Sequence, residues 1–599
     1  MGLETPAAPA PKQDVSMTLI KPLVFSTFVA LAAGCASDVP EVEPGAALDE
    51  DYGKTLYGVD DTAAGKADSF DGVAGPRVAG LSATTEVWKV NRRWYETDAA
   101  AGIAWPANST LTWDEKFAAW VDSLAVHGEG YTKTFKLSTP WGKTLPAPRL
   151  ECAETAMFLR ATFASWYGLP FYMTAYNAQA GNMHFGHFGI VNGNGVRVSG
   201  FPRFANDYKD HTASSAAKTN DQILASWPQD TNLRGRALTS QKDDDVSDIL
   251  GTGAYAGTYF DEIFLNKRVG HFMLRLLTYF GSMHLASTQN TFNLRPTAIR
   301  AGDPLVERWQ KKGIGHVLVT KKVTQTAAGK LAIEAMFGSM PRIQPRWYDS
   351  NLSKPYYTSE YTGGEGQNVD GDKYAALGGG LKRWRTPVSK NGRWYNIVPA
   401  ADRANFIDGA DLVAVAARPG QFETLMGELS AEEQRDVLLQ RIDVARTALR
   451  SKPASCSNRQ RREEAFEELY TLMQDEFGMS ASEVDETYRI LDDYALPELE
   501  YNQSKTCCWN STTPEMYLIV MQLNEERVSV AQCVEPLPFK NDGGYKAFAD
   551  YAASIGMASA WKAWSEDEPC AQRNVVTDTE VEPLAAPFCE VRDEVLDND

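Results

Sequence analysis

With 599 residues, the chain is too long for one hydrophobic core and points to two or more domains. Its composition, 43% hydrophobic and 11% aromatic, is that of a folded globular protein. A formal net charge of -19 argues against nucleic acid as a partner and against a polybasic membrane surface.

The first informative stretch begins at Met17. MTLIKPLVFSTFVALAAGC carries one lysine, an apolar run from Leu23 to Ala33, and Ala-Gly before Cys35. It resembles a bacterial lipoprotein signal peptide (residues 1–34, with Met17 the expected start), in which Cys35 is acylated and becomes the mature N-terminus. Ala32 departs from the pattern, which more often has leucine there. The apolar run is shorter than the ~20 residues of a membrane-spanning helix. By resemblance to the Gram-negative sorting pattern, Ala36 after the cysteine implies an outer-membrane lipoprotein of the cell envelope, facing the periplasm or the surface. Residues 35–76 hold Asp, Glu, Gly, Ala and Pro with almost no large apolar residues, and read as an acidic disordered tether.

Thr112-Trp113-Asp114-Glu115 reads as a capping box. The helix it opens carries Trp113, Phe117, Trp120 and Leu124 on one apolar face. Residues 131–148 read as extended. Glu151 to Pro170 reads as one helix of about five turns. Cys152, Ala156, Leu159, Phe163 and Tyr167 share its apolar face, and Gly168 stops it. PFYMTAYN then reads as a strand, and HFGIVNGNGVRV as a hairpin turning at NGNG. Residues 205–255 read as a polar surface insertion and 258–286 as helical, so that an insertion of about 205–290 interrupts the domain. Three strands follow, Pro304–Trp309, His316–Val323 and Lys330–Met336, and GRWYNIVP adds another. Asn368, Asp370 and Asp372 mimic the start of a calcium loop, but Lys373 and Gly379 occupy the required Gly and Glu positions, which leaves a polar turn. From about residue 420 the pattern is helical, with a capping box at Ser430 and Glu433, Pro514 opening a later helix, and a last helix over 544–563.

The cysteines divide by position. Cys456, Cys507, Cys508, Cys533, Cys570 and Cys589 all lie in the last quarter of the chain and read as three disulfides, with the pairing open. No histidine follows His316, which argues against a zinc cluster there, and neither a metal nor a cofactor is expected. Cys152 is left as the free thiol, in the first turn of a buried helix. The helix dipole and unpaired N–H groups there lower a thiol pKa and can hold an oxyanion. Glu151 and Glu154 oppose a thiolate. A nucleophilic thiol needs a base, and the base an orienting partner. His316 opens the middle strand, and a hairpin turning near Gln325 sets Glu334 opposite it.

A Cys-initiated helix, then Gly302-Asp303, then Gly315-His316-Val317 opening a strand, then Glu334 on the next strand, resembles the papain-like cell-wall hydrolases. The CHAP amidase and NlpC-type peptidase branches are the nearest, over parts of 145–345. The resemblance implies an α+β fold: a papain-like core over 77–420, with a Cys-bearing helix packed on an antiparallel sheet, followed by a disulfide-stapled α-helical domain over 421–599. It implies Cys152 as nucleophile, His316 as base, Glu334 as orienter and a thioester intermediate. The implied partners are the membrane, through the lipid anchor, and a peptide or peptidoglycan amide as substrate. The 164-residue separation of Cys152 and His316 exceeds the usual spacing and requires a large insertion. GLPFYM…GHFGIV is similar to a transglutaminase-like core, which makes His187 the alternative base and acyl transfer the alternative chemistry. The NGNG turn pairs His187 with Ser199 or Gly200, not with the Asp of that family. His184 and His187 read as buried, hydrogen-bonded residues in preference to metal ligands. A further expectation is a non-catalytic lipoprotein that uses this shell as a binding or structural module.

Overall fold

The computed structural model describes residues 72–178, 181–238, 245–368, 370–453, 455–497, 513–528, 534–539, 543–562 and 587–589. The expected signal peptide and Cys35 lie outside these residues. β1 (Val73–Arg77) takes in the last residues of the expected 35–76 tether. Thr112 and Glu115 exchange bonds across the start of α1 (Trp113–Ser123), as the sequence predicts. β2 (Ala125–His127), β3 (Thr134–Ser138) and β4 (Thr144–Pro146) make a small antiparallel sheet. α2 (Cys152–Tyr167) follows and ends at Gly168, whose φ of 64° is left-handed and open to glycine without strain. The sequence gives α2 one apolar face, but every residue from Ala153 to Ala164 is buried, Glu154 and Arg160 included.

β5 (Tyr172–Asn177), β6 (Gly181–Gly186) and β7 (Gly189–Asn192) form a second antiparallel sheet. The expected hairpin is displaced here: the chain already reverses at His187-Phe188, and NGNG closes only a single bridge, Val191 to Arg197. The described residues of 205–255 include several short helical turns, yet Leu233 and Val246, with the adjacent Phe204, enter the main core. The segment is part of the fold and not a surface addition. α3 (Ala256–Ile263), α4 (Lys267–Tyr279) and α5 (Ser282–Ala286) continue it.

The remaining strands are β8 (Thr291–Leu294), β9 (Pro304–Glu307), β10 (His316–Gln325), β11 (Leu331–Phe337), β12 (Arg346–Tyr348), β13 (Gly380–Trp384), β14 (Thr386–Lys390), β15 (Arg393–Ile397) and β16 (Phe406–Ile407). β14 and β15 join β1 in a third sheet. The other strands form the main sheet, in the order β12-β11-β10-β9-β13-β8-β16, with antiparallel neighbours throughout. One face of it carries α1, α2 and an aromatic core in which Phe163 touches Trp94, Trp105, Trp113, Phe117, Trp120 and Tyr167. The other face carries α6 (Ser350–Thr358) and α7 (Arg418–Met426), whose Phe422 shares a core with Leu305, Leu318 and Ile333 of the sheet. The fold is thus mixed α and β, with a Cys-bearing helix on an antiparallel sheet.

α8 (Ala431–Ser451), α9 (Cys456–Leu472), α10 (Pro514–Val528) and α11 (Gly543–Ser554) supply the expected C-terminal helices. Lys354 reaches Glu423 (2.5 Å) and Lys330 donates to the Thr424 carbonyl (2.9 Å), so polar contacts cross the 420 boundary. Cys152 is a free thiol and Cys589 is disulfide-bonded. Cys507, Cys508, Cys533 and Cys570 lie outside the described residues. Among the described residues no helix is long and apolar enough to cross a membrane.

A buried ionic network ties the helices to the sheet. Asp114 on α1 pairs with Arg160 on α2 (2.9 Å) and with Arg300, and the Arg300 amide donates to Asp303 (3.0 Å). Arg383 on β13 holds Asp303 (2.7 Å) and Asp402 (2.5 Å). The nearby guanidinium groups outweigh burial and hold the Asp114 carboxyl well below the usual carboxylate range. Removing one partner of such a pair leaves a buried charge uncompensated. Asp114→Asn is therefore expected to cost about 3–5 kcal/mol in urea unfolding. Asp550→Asn, which breaks the exposed Lys546–Asp550 pair, should leave the midpoint unchanged.

Candidate functional site

Cys152 is the first residue of α2, and α2 rests on β10. The Leu150 amide donates to the Ile343 carbonyl (2.8 Å), which brings the loop after β11 over the start of the helix. From this loop Arg342, 5% exposed, donates to Glu154 through Nε (2.9 Å) and Nη2 (2.6 Å), and also reaches Glu151 (3.3 Å). The two carboxylates beside the thiol are thus engaged by an arginine that the sequence does not single out. Its position 188 residues from Glu154 gives no local signal.

The thiol of Cys152 points at the Gly315 carbonyl (3.9 Å) and accepts from the amides of Val317 and Ala153. Burial, followed by the charge of Glu151, outweighs those amides and pushes the thiol up to about 12. Its contacts with these backbone groups latch α2 to β10.

His316 is adjacent to that latch in sequence but lies across the strand from it. Side chains of a strand alternate between faces. Val317 and Val319 face the core that Cys152 joins, whereas Leu318 faces the opposite one. The His316 ring packs on Phe337 (4.9 Å) and Tyr356 (6.1 Å), on the Leu318 side. The expected nucleophile and base are therefore separated by the sheet itself.

Glu334 is also displaced. It pairs with Lys322, not His316, and its carboxylate accepts from Trp347 Nε1 (2.6 Å). The hairpin turn closes at Thr326–Lys330, later than Gln325, and a bulge between Thr320 and Lys322 shifts the register further. Glu334 alternates with Ile333 and Ala335 of the Leu318 face, which puts it on the Cys152 face, away from His316.

His187, the alternative base, also lies apart from Cys152. It sits in the β6–β7 turn, its Nδ1 against the Phe171 carbonyl (2.8 Å) and its ring against Phe188 and Trp394. Phe171 follows the C-terminal end of α2, about 24 Å along the 16-residue helix from Cys152. Burial lowers His187 to about 3 and His184, which bonds Thr174 Oγ1 (2.9 Å), to about 4. The triplet Asn368, Asp370, Asp372 is a polar turn as expected: Asn368 Oδ1 accepts the amides of both aspartates.

The residue directly across from His316 is Glu307, on β9. It is 8% exposed and hydrogen-bonded by Ser359, with Tyr356 and the charge of Arg461 nearby. Burial raises Glu307 from 4.5 to about 7 and lowers His316 from 6.5 to about 3. The pair is thus a neutral imidazole beside a carboxyl that titrates near neutrality, on the face of the sheet under α6. The sequence singles out the run Pro304–Trp309 as a strand, but not the residue of that strand that meets His316.

Compared with known proteins, the chain matches no family model, no curated protein and no solved structure.

The pair has a signature in stability. Glu307 holds its proton more tightly when folded, so its contribution is full below about pH 4.5 and is lost as pH rises through about 7. His316 has the opposite sign: its contribution is full above about 6.5 and lost as pH falls through about 3. The two oppose each other between 4.5 and 6.5. Glu307→Gln removes one side of this balance. Relative to wild type, its stability should rise from about pH 4.5 to 7 by up to about 3 kcal/mol, read from urea midpoints at each pH. A pH-independent difference would show that Glu307 ionises normally.

Proposed function

We propose that this chain is a lipid-anchored protein of the bacterial cell envelope that works by binding, with Cys152 as a structural thiol. The address rests on residues 17–35 of the sequence. The observation that carries the rest is the alternation along β10: Val317, not His316, shares the face of Cys152. A thiol held near 12 by burial, with backbone groups for partners, suits an anchor between helix and sheet better than a nucleophile.

A second reading keeps the papain-like cysteine hydrolase acting on a peptide or peptidoglycan amide, or the related acyl transfer. It is favoured by the placement of Cys152 at the head of a helix on an antiparallel sheet, with the Ala153 and Val317 amides directed at its sulfur. That chemistry requires His316 to reach the opposite face of β10.

Iodoacetamide separates the two. The full chain, with His316→Ala and His187→Ala, is alkylated across the neutral range and the Cys152 peptide is followed by mass. The structural thiol should react roughly a thousandfold more slowly at pH 7 than a free cysteine of pKa about 8.5, equally in all three proteins. Fast alkylation at neutral pH that collapses in His316→Ala would establish the hydrolase reading instead.

A further inference from the structure

Two neighbouring cations on β13 are buried with very different partners. Arg383, 4% exposed, is held by Asp303 and Asp402. Lys382, 2% exposed, donates to Asn293 Oδ1 directly across on β8 and, among the described residues, pairs with no carboxylate. Arg418 of α7 stands behind it and donates to the carbonyls of Val415 (3.1 Å), Leu381 (3.1 Å) and Gly379 (2.7 Å), and to Asn293 Oδ1 (3.4 Å). Arg385 lies nearby, with the Thr288 and Asn396 carbonyls among its partners.

Lys382, Asn293 and Arg385 line a cavity of about 400 Å³ at the β8 end of the main sheet. Ala375, Ile407 and Val415 give it an apolar wall. Asp408, exposed, is the one carboxylate among the described lining residues, and it accepts the Ala410 amide. A buried ammonium without a counter-ion is strongly disfavoured. Burial, with Arg418 and Arg385 adding to it, holds the Lys382 amine well below the usual lysine range. An anion entering the cavity relieves that penalty, and the volume falls within the range of small-ligand sites.

We propose that this cavity binds a small carboxylate with an apolar body, its charge on Lys382 backed by Arg418 and Arg385, its body against Ala375, Ile407 and Val415. A bare inorganic anion would leave the apolar wall uncovered. The proposal names a ligand class for the binding role and rests on that reading only for its use. The thiol assay and the assay below fail independently.

The full chain is titrated calorimetrically with phenylacetate, phenylacetamide and inorganic phosphate. Phenylacetate should bind at millimolar concentration, with the amide of the same shape and phosphate weaker by roughly tenfold or more. Lys382→Met should lose phenylacetate affinity by a similar factor. An amide that binds as well as the acid, phosphate that binds better, no binding of any probe, or full affinity in Lys382→Met would each overturn the proposal. The comparison of three probes on the wild-type chain remains decisive if Lys382→Met does not fold.

Discussion

The salt bridges that run from Asp114 to Asp402 fix the geometry on which everything else depends. A buried charge is tolerated only with a partner in place, so each ion restricts where the element carrying its counter-ion can lie. Asp114 binds α1 to α2 through Arg160, and Asp303 and Asp402 bind Arg383 of β13. Arg160 also sits over the Trp94 ring (3.4 Å), so the same guanidinium joins the aromatic core. Three arginines and three aspartates balance across this array. Apolar packing alone could let α2 rotate or slide. The network admits one position, and that position sets Cys152 against the backbone of β10.

Once α2 is fixed, the period of the strand decides the chemistry. A one-residue slip in a strand exchanges its faces. With Val317 toward the helix, the thiol meets amides and a carbonyl, while the imidazole faces Phe337 and Tyr356. The same alternation gives His316 an unexpected neighbour in Glu307. Desolvation then acts on both, raising the acid and lowering the base, so that proton affinities are inverted relative to a solvated pair.

Local signals in the sequence survive in the fold. The capping boxes at Thr112 and Ser430, the stop at Gly168 and the three strands from Pro304 to Phe337 are all set by interactions within a few residues. The site is legible only in part, because it depends on register and face. Residues 317–321 of β10 are all buried, so no apolar–polar alternation marks which side meets the helix. Placing Glu334 opposite His316 assumes a turn at Gln325 and an unbroken ladder, whereas the chain turns later and bulges. At His187 the Asn/Gly signal of NGNG is strong, but the earlier reversal uses the freedom of Gly189 (φ 102°) beside residues with no turn signature. Arg342 reaches Glu154 from a distant loop, a pairing that no spacing rule anticipates.

Buried cations are a recurring feature of this acidic chain, and most of them are explained. Arg308 donates to the carbonyls of Gly313 (3.0 Å) and Lys311 (3.1 Å), and Arg418 to a fan of carbonyls around Gly379. A guanidinium is weakly hydrated and spreads its charge over donors that carbonyls can satisfy. An ammonium is a compact, strongly hydrated charge, and one side-chain amide oxygen does not replace its water. Lys382 is therefore in a different position from the arginines around it, and from Arg383 one residue on. Its environment favours the neutral amine in the free protein and the charged one once an anion is present. The cavity beside Lys382 and the lack, among the described residues, of a carboxylate paired with it are two aspects of one arrangement.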